Sequence, residues 1–165
     1  MTKAKILSVQ QPHADLILFG GKWCENRTWQ TKYRGELFIH ASRVDLPAMN
    51  GWKMQGCDPV NDSPGKCRTS AIIGSVMLFD VVQSDYVHEA KFFIDSKTNH
   101  KAIPERSREL VKLLRKAAPE TWRHAFGPFC WILTDPQPIE PISGVKGKLG
   151  LWEYNLPKIR DFAAA

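Results

Sequence analysis

The segment from residue 23 to residue 29 carries charged and aromatic side chains at a spacing suited to chemistry. In a strand, Glu25 and Arg27 lie on one face with the two tryptophans at the ends of the segment, and Lys22 precedes them. An ammonium can hold a phosphate or carbonyl oxygen, and a carboxylate can accept a hydrogen bond from an exocyclic amine. Indoles can stack on an unpaired base. The segment therefore predicts a pocket for a flipped or single-stranded nucleotide.

A structural interpretation of the same segment is also open. Glu25 and Arg27 can form an internal ion pair while Trp23 and Trp29 belong to the core. Burying a charged pair is costly and is weak evidence of stability. On the residues alone, the internal ion pair and the pocket both stay open.

Five further residues are candidates for the pocket or its rim. Arg34, in a predicted turn, could hold phosphate or be solvated. His40 and Ser42 are predicted at the exit of a strand, where His40 could line the pocket or cap the strand. Lys146 and Lys148 lie in a glycine-rich segment from which they can reach phosphate.

The cysteines predict neither a disulfide scaffold nor a zinc ribbon, because the four are widely spread without a CxxC pair. Cys57 and Cys67 bracket a loop and could bind zinc with a histidine and another thiol, but their spacing does not match a zinc finger. We predict no metal, no cofactor and a reduced, cytoplasmic protein.

About six short strands and two or three helices must position these residues. Candidate strands are residues 5–9, 23–29, 36–41, 71–82, 91–95, 129–134 and 149–154, and candidate helices are about 12–19 and 105–117. Pro136 and Pro138 are expected to end the strand that precedes them. Residues 45–70 are predicted to form an irregular insertion. Because strands and helices do not alternate, the order predicts an α+β domain or a small barrel with attached helices.

Length and charge narrow the class of protein. A chain of 165 residues predicts a single domain over residues 1–165, and 43% hydrophobic residues suffice for a folded core. The longest apolar stretch has nine residues, Ala71 to Phe79, so no membrane span is predicted. A net charge of +6 favours a polyanionic partner such as nucleic acid.

Several short motifs resemble the ASCH domain family. They are LSVQQP at 7–12, GKWCENRTW at 21–29, YRG at 33–35, FIHAS at 38–42, GP at 127–128 and GKLGLW at 147–152. The resemblance implies a PUA-like fold, which is a small β-barrel of about six strands with flanking helices. It also implies an RNA-binding or nucleotide-binding module. Some branches of the family are similar to enzymes: one hydrolyses the amide of N4-acetylcytidine, and ribonuclease activity is attributed to another.

The resemblance centres on a Gly-Lys-x-x-Glu-x-Arg motif that begins at Gly21. The amidohydrolase branch has a nucleophilic threonine three residues after the lysine, where this chain has Glu25. Thr28 is expected to face the other side of the strand. Asp80 could supply the carboxylate that assists from a later strand. In a variant mechanism, Glu25 is the general base on a water and Lys22 stabilises an oxyanion.

The first hypothesis is an RNA-binding or modified-nucleotide-binding module. The alternative is a small hydrolase in which Lys22 and Glu25 are catalytic, and a protein-interaction domain that has lost the site is a third reading. RNA is the expected partner, DNA stays open, and the oligomeric state is not predicted. The candidate binding residues are Lys22, Glu25, Arg27, Trp29, Arg34, His40, Ser42, Lys146 and Lys148.

Overall fold

The computed structural model describes residues 2–54, 63–83, 105–117 and 127–157, and within them the chain forms six strands and three helices. In chain order they are β1 (Thr2–Gln11), α1 (His13–Phe19), β2 (Cys24–Arg27), β3 (Gly35–Val44), α2 (Leu46–Met54), β4 (Ala71–Gln83), α3 (Glu105–Ala117), β5 (Phe129–Ser143) and β6 (Leu151–Leu156).

The strands form one mixed sheet in the order β2-β5-β4-β3-β1-β6. Strand β1 pairs in parallel with β3 and antiparallel with β6, and β2 pairs antiparallel with β5. The α+β class is therefore confirmed. Within the described ranges, the outer strands β2 and β6 have one neighbour each, so the sheet is not closed and the predicted barrel is not confirmed.

The chain divides into two compact units. The first unit consists of Met1–Gly20, Glu36–Met77 and Asp135–Ala165, and the second consists of Gly21–Gly35 and Leu78–Thr134. Each has a hydrophobic cluster of its own. The single-domain organisation stays a prediction.

The core of the first unit is built on the alternating side chains of its strands. Ile6 and Phe38 face each other in the β1–β3 register, and Ile6 is also opposite Trp152 in the β1–β6 register. These residues pack with Ile72 and Val145 in one buried cluster. Contacts between strands distant in sequence therefore hold this unit together.

The second unit is built around the pairing of β2 with β5 and the apolar face of α3. Trp23, Cys24, Cys130 and Ile132 are buried together, and Val111 of α3 joins them. Because Trp23 is part of this core, its indole is not presented for stacking on a base, and the structural interpretation is the better one at this position.

The helix predictions agree with the structure over α1, which a glycine pair follows, and over α3, whose apolar positions recur with helical spacing. The segment predicted to be irregular contains α2, and the predicted strand at 91–95 lies outside the described residues. None of the described helices is long and apolar enough to cross a lipid bilayer.

The predicted break at Pro136 and Pro138 is wrong, because β5 continues to Ser143. The two prolines are two residues apart, so their missing N–H groups fall on the same side of the strand and pairing on the other side can persist.

Candidate functional site

A glycine with a left-handed backbone leads into the charged segment. Gly21 has φ of 69°, a conformation that side-chain-bearing residues rarely adopt, and no atom lies within 4 Å of the position a Cβ would take. Its role is thus conformational rather than steric. The chain then enters Lys22 and β2.

The Lys22 side chain is buried, with only 3% of the residue's surface exposed. Its Nζ donates hydrogen bonds to Glu25 Oε2 at 2.5 Å and to the Cys24 carbonyl oxygen at 2.5 Å. These contacts take two of the three N–H donors of the ammonium. A buried ammonium needs such partners, since an uncompensated charge in the interior is strongly unfavourable.

Glu25 lies between two cations. Its Oε2 accepts from Lys22, while its Oε1 is 3.3 Å from Arg27 Nη2. Glu25 and Arg27 occupy alternate positions of β2 and share one face, as the strand periodicity predicted. Two positive side chains and one negative side chain give the group a net charge of +1. We call these three residues the β2 charge cluster.

Trp29 lies beyond the end of β2, so the strand is shorter than predicted. Its indole packs edge-to-face against Trp131, with ring centroids 4.7 Å apart and an interplanar angle of 81°. The Trp131 Nε1 also donates to the Trp29 carbonyl oxygen at 3.3 Å. Trp29 is only partly buried, so part of its indole surface is accessible for stacking.

Arg34 is held by contacts within its own unit. Its Nε and Nη2 donate to Asp80 Oδ1 at 3.2 and 2.7 Å, and its Nη1 donates to the carbonyl oxygens of Thr31 and Tyr33, both at 2.8 Å. Four of the five guanidinium N–H donors are thereby engaged. Arg34 thus braces the 31–34 turn against β4, and the predicted phosphate contact has little donor capacity left.

Two buried thiols lie within the β2–β5 pairing, and the sequence does not single them out. Burial raises the pKa of the Cys24 thiol to about 11, and burial, with Cys24 nearby, raises the pKa of the Cys130 thiol to about 12. Both side chains are protonated at neutral pH. They therefore pack as small apolar groups and are poor nucleophiles.

His40 belongs to the first unit and lies inside β3, four residues before its end, so its predicted place at the strand exit is wrong. It is 1% exposed. Its Nε2 donates to the Val145 carbonyl oxygen at 2.9 Å, and its ring meets Trp152 edge-to-face at 5.7 Å. Ser42 is also within β3, and its hydroxyl donates to the Val9 carbonyl oxygen at 3.0 Å. Their pocket roles stay predictions.

Lys146 and Lys148 are exposed on the loop between β5 and β6. Lys148 Nζ lies 5.7 Å from the centroid of the Trp152 ring, which is within cation–π range. The predicted rim lysines are therefore accessible to a polyanion.

A buried polar network in the first unit was missed from the sequence. Asp15 is 2% exposed and accepts hydrogen bonds from Gln11 Nε2 at 2.7 Å, Ser63 Oγ at 2.5 Å and the Cys67 backbone N–H at 2.9 Å. These bonds anchor the 63–67 turn on α1. Cys67 serves the turn through its backbone, and Cys57 lies outside the described residues.

Among the residues that the structure describes, no group of three histidine, cysteine, aspartate or glutamate side chains is placed to hold a metal ion.

The chain is similar to known proteins, and a family model matches most of its sequence. Three solved structures of the ASCH protein from Zymomonas mobilis are similar to this chain. A tyrosine-to-phenylalanine mutant is 16% identical, with 93% of this chain and 91% of that chain covered and a TM-score of 0.45. A serine-to-alanine mutant is 16% identical, with 92% of this chain and 88% of that chain covered and a TM-score of 0.45. The protein described without a mutation is 17% identical, with 92% of this chain and 87% of that chain covered and a TM-score of 0.43. A search of curated proteins finds no match. The model of the ASCH domain matches residues 7–143. The chain belongs to the ASCH domain family.

Proposed function

We propose that this chain is an RNA-binding or modified-nucleotide-binding module whose pocket is formed by the β2 charge cluster. The observation that carries the proposal is the Glu25 carboxylate, held between the ammonium of Lys22 and the guanidinium of Arg27. Membership of the ASCH family supports a nucleic-acid-related role.

The free-energy cost of burying charged side chains indicates that the β2 charge cluster has a role other than stabilising the fold. The chain also contains a Lys–Glu pair at the same i,i+3 spacing on α3, Lys112 with Glu109, in which both side chains are 56% exposed. An exposed pair loses little hydration, whereas burying Lys22 and Glu25 removes two charges from water. Hydrophobic side chains in their place would pack without that penalty. A ligand that uses both charges explains why the pair is there.

The cluster matches the chemistry of a nucleotide. A carboxylate oxygen accepts hydrogen bonds, so Glu25 suits an exocyclic amine such as that of cytosine. Arg27 is less buried than its partners, and its guanidinium can bind a phosphate or a base carbonyl. The net charge of +1 favours an anionic ligand. The accessible part of Trp29 can stack on the base.

Fluorescence anisotropy with a labelled single-stranded RNA tests the proposal. The double variant Lys22→Met with Glu25→Leu replaces the buried pair by apolar side chains, and Lys112→Met with Glu109→Leu makes the same change in the exposed pair. We expect the first to lose about tenfold in affinity, equivalent to about 1.4 kcal/mol, and the second to bind within about twofold of wild type. Equal affinities of the two variants would contradict the proposal.

A further variant serves as a control in case the double variant does not fold. Arg27→Ala removes a partly exposed side chain and leaves the Lys22–Glu25 contact in place. It should also weaken RNA binding, while the urea midpoint changes little. A single-stranded DNA of the same sequence shows whether the 2′-hydroxyl contributes. Absence of any salt-dependent binding to either nucleic acid would favour a protein-interaction domain instead.

The Lys22–Glu25 contact also favours a second candidate, a hydrolase of N4-acetylcytidine or RNA. Glu25 would take a proton from a water that attacks the amide carbonyl, and a Lys22 N–H would stabilise the oxyanion. The C–N bond then breaks, Glu25 returns the proton to the leaving amine, and acetate is released. Thr28 is exposed and follows the end of β2, so it is not placed within this cluster.

Chromatography of N4-acetylcytidine incubated with the protein, and gel analysis of incubated RNA, separate the two candidates. Turnover that Glu25→Gln abolishes in a folded protein would establish the hydrolase. RNA binding without turnover of either substrate would establish the module.

A further inference from the structure

One apolar side chain on the basic loop is unusually accessible. Leu149 is 99% exposed, while Leu46 and Leu113, two other exposed leucines among the described residues, are 66% and 64% exposed. Lys146 and Lys148 precede it on the same loop, and both are exposed. The segment Gly144–Gly150, which we call the lysine–leucine loop, contains no acidic residue.

The lysine–leucine loop is fixed at its start by backbone hydrogen bonds. The Val145 N–H donates to the Ser70 carbonyl oxygen at 3.0 Å, and the Val145 carbonyl accepts from His40 Nε2 at 2.9 Å. Gly144 and Gly150, at its two ends, have φ of 76° and 69°. The backbone of the loop is therefore set by its ends and by a buried histidine.

Close packing fixes the middle of the loop as well. A Cβ on Gly147 would lie 2.7 Å from His40 Cε1, 2.9 Å from His40 Nδ1 and 3.0 Å from Ser8 Oγ. Only glycine allows the backbone to lie against the imidazole at this distance. The next residue, Lys148, extends over the Trp152 ring. Leu149 is thus displayed from an ordered support, which lowers the entropic cost of binding.

We propose that Leu149 is a wedge that inserts against the bases of a nucleic-acid strand whose phosphates bind Lys146 and Lys148. This proposal rests on the proposed function, because both take a nucleic acid as the partner. It involves other residues than the β2 charge cluster, and it requires a nucleic-acid strand rather than a free nucleotide. Two lysines beside one exposed leucine match the phosphates and the apolar base planes that alternate along a strand. Leucine is also among the side chains that insert between base steps.

A lipid surface is the less favoured partner for the same loop. Membrane binding by a basic segment needs substantial buried apolar surface, and even a myristoyl chain alone gives only marginal affinity. A single leucine supplies far less apolar surface than that chain.

A single-stranded RNA containing 2-aminopurine tests the wedge, because unstacking of this base raises its fluorescence. Wild type should raise the fluorescence and Leu149→Ala should not. Leu149→Ala should also bind about five- to tenfold more weakly, because its apolar contact with the bases is lost, with an unchanged salt dependence. Leu46→Ala, an exposed leucine of the same unit outside the loop, is the matched control and should behave as wild type.

The outcomes are distinguishable. If wild type binds RNA and Leu149→Ala matches Leu46→Ala in affinity and fluorescence, the wedge is wrong and the proposed function stands. If wild type binds no RNA, the RNA-binding form of the proposed function fails and the wedge with it. If wild type binds vesicles of phosphatidylcholine and phosphatidylserine, and Leu149→Ala loses vesicle binding while RNA binding is unaffected, the loop is a membrane contact and the proposal is overturned.

Discussion

The β2 charge cluster and the lysine–leucine loop use lysine in opposite ways. Lys22 is buried and held by two hydrogen bonds, whereas Lys146 and Lys148 are exposed to solvent. In the cluster the protein itself supplies the carboxylate. On the loop, the sequence between Gly144 and Gly150 offers no acidic partner. A buried lysine thus positions another group, while an exposed lysine on an ordered backbone is available to a ligand.

The largest effect should come from breaking the cluster. Glu25→Ala leaves the Lys22 ammonium buried without its carboxylate, so we expect a loss of about 3–5 kcal/mol in the free energy of unfolding. Urea denaturation measures it. Glu109→Ala, which removes the partner of the exposed Lys112, should cost less than about 1 kcal/mol. A similar, small loss in both variants would show that the cluster is not a buried pair in solution.

The next largest effect concerns the support of the loop. In Gly147→Ala the new methyl group must displace the His40 ring, so we expect a loss of about 1–3 kcal/mol. Gly144→Ala meets no atom within 4 Å and should lose only about 1 kcal/mol, from backbone strain at φ of 76°. Thermal unfolding of both variants measures the difference. Equal losses would mean that the His40 packing contributes nothing.

The loop lysines should affect binding and leave stability almost unchanged. Lys146→Ala should change the free energy of unfolding by less than about 0.5 kcal/mol. The slope of log affinity for single-stranded RNA against log salt concentration should become shallower by about 0.7, because one phosphate contact is lost. Anisotropy titrations over a series of salt concentrations measure this slope. Retention of the wild-type slope would remove Lys146 from the interface.

The smallest effect is a pH dependence from the two buried thiols. Thiols of the unfolded chain ionise near pH ~8.5, whereas burial raises the pKa of Cys24 to about 11 and that of Cys130 to about 12. The folded state therefore binds more protons above that pH, and stability should fall as the pH rises from about 8.5 towards 11.

Labelling with iodoacetamide measures the accessibility and ionisation of these two thiols at a milder pH. At pH ~8, near the ordinary thiol pKa, peptides containing Cys24 and Cys130 should stay unmodified in the native protein and react after unfolding in guanidinium. Rapid native labelling of either cysteine would show that its thiol is accessible and ionised.

Local patterns predicted much of the fold and part of the site. Glu25 and Arg27 share a face because side chains of a strand alternate, and that rule needs only the sequence. Helix α3 has the predicted bounds because its apolar positions recur with helical spacing.

Long-range contacts account for the features that the sequence did not reveal. Arg34 is engaged by Asp80, 46 residues away, and His40 by Val145, 105 residues away. No local pattern indicates such pairs, so the sequence alone predicts a phosphate contact for Arg34 and a strand-end position for His40. The shortness of β2 and the continuation of β5 past its prolines likewise depend on strand pairing, which the sequence does not specify.

NMR of arginine side chains reports directly on whether a nucleotide contacts the β2 charge cluster. With ¹⁵N-labelled arginine, the Nε–H signals of Arg27 and Arg34 can be followed during titration with a short single-stranded RNA and assigned with Arg27→Lys. We predict that the Arg27 signal shifts in a saturable way while that of Arg34, whose Nε donates to Asp80, does not. An unchanged Arg27 signal at an RNA concentration that saturates binding would show that the nucleotide does not contact the β2 charge cluster.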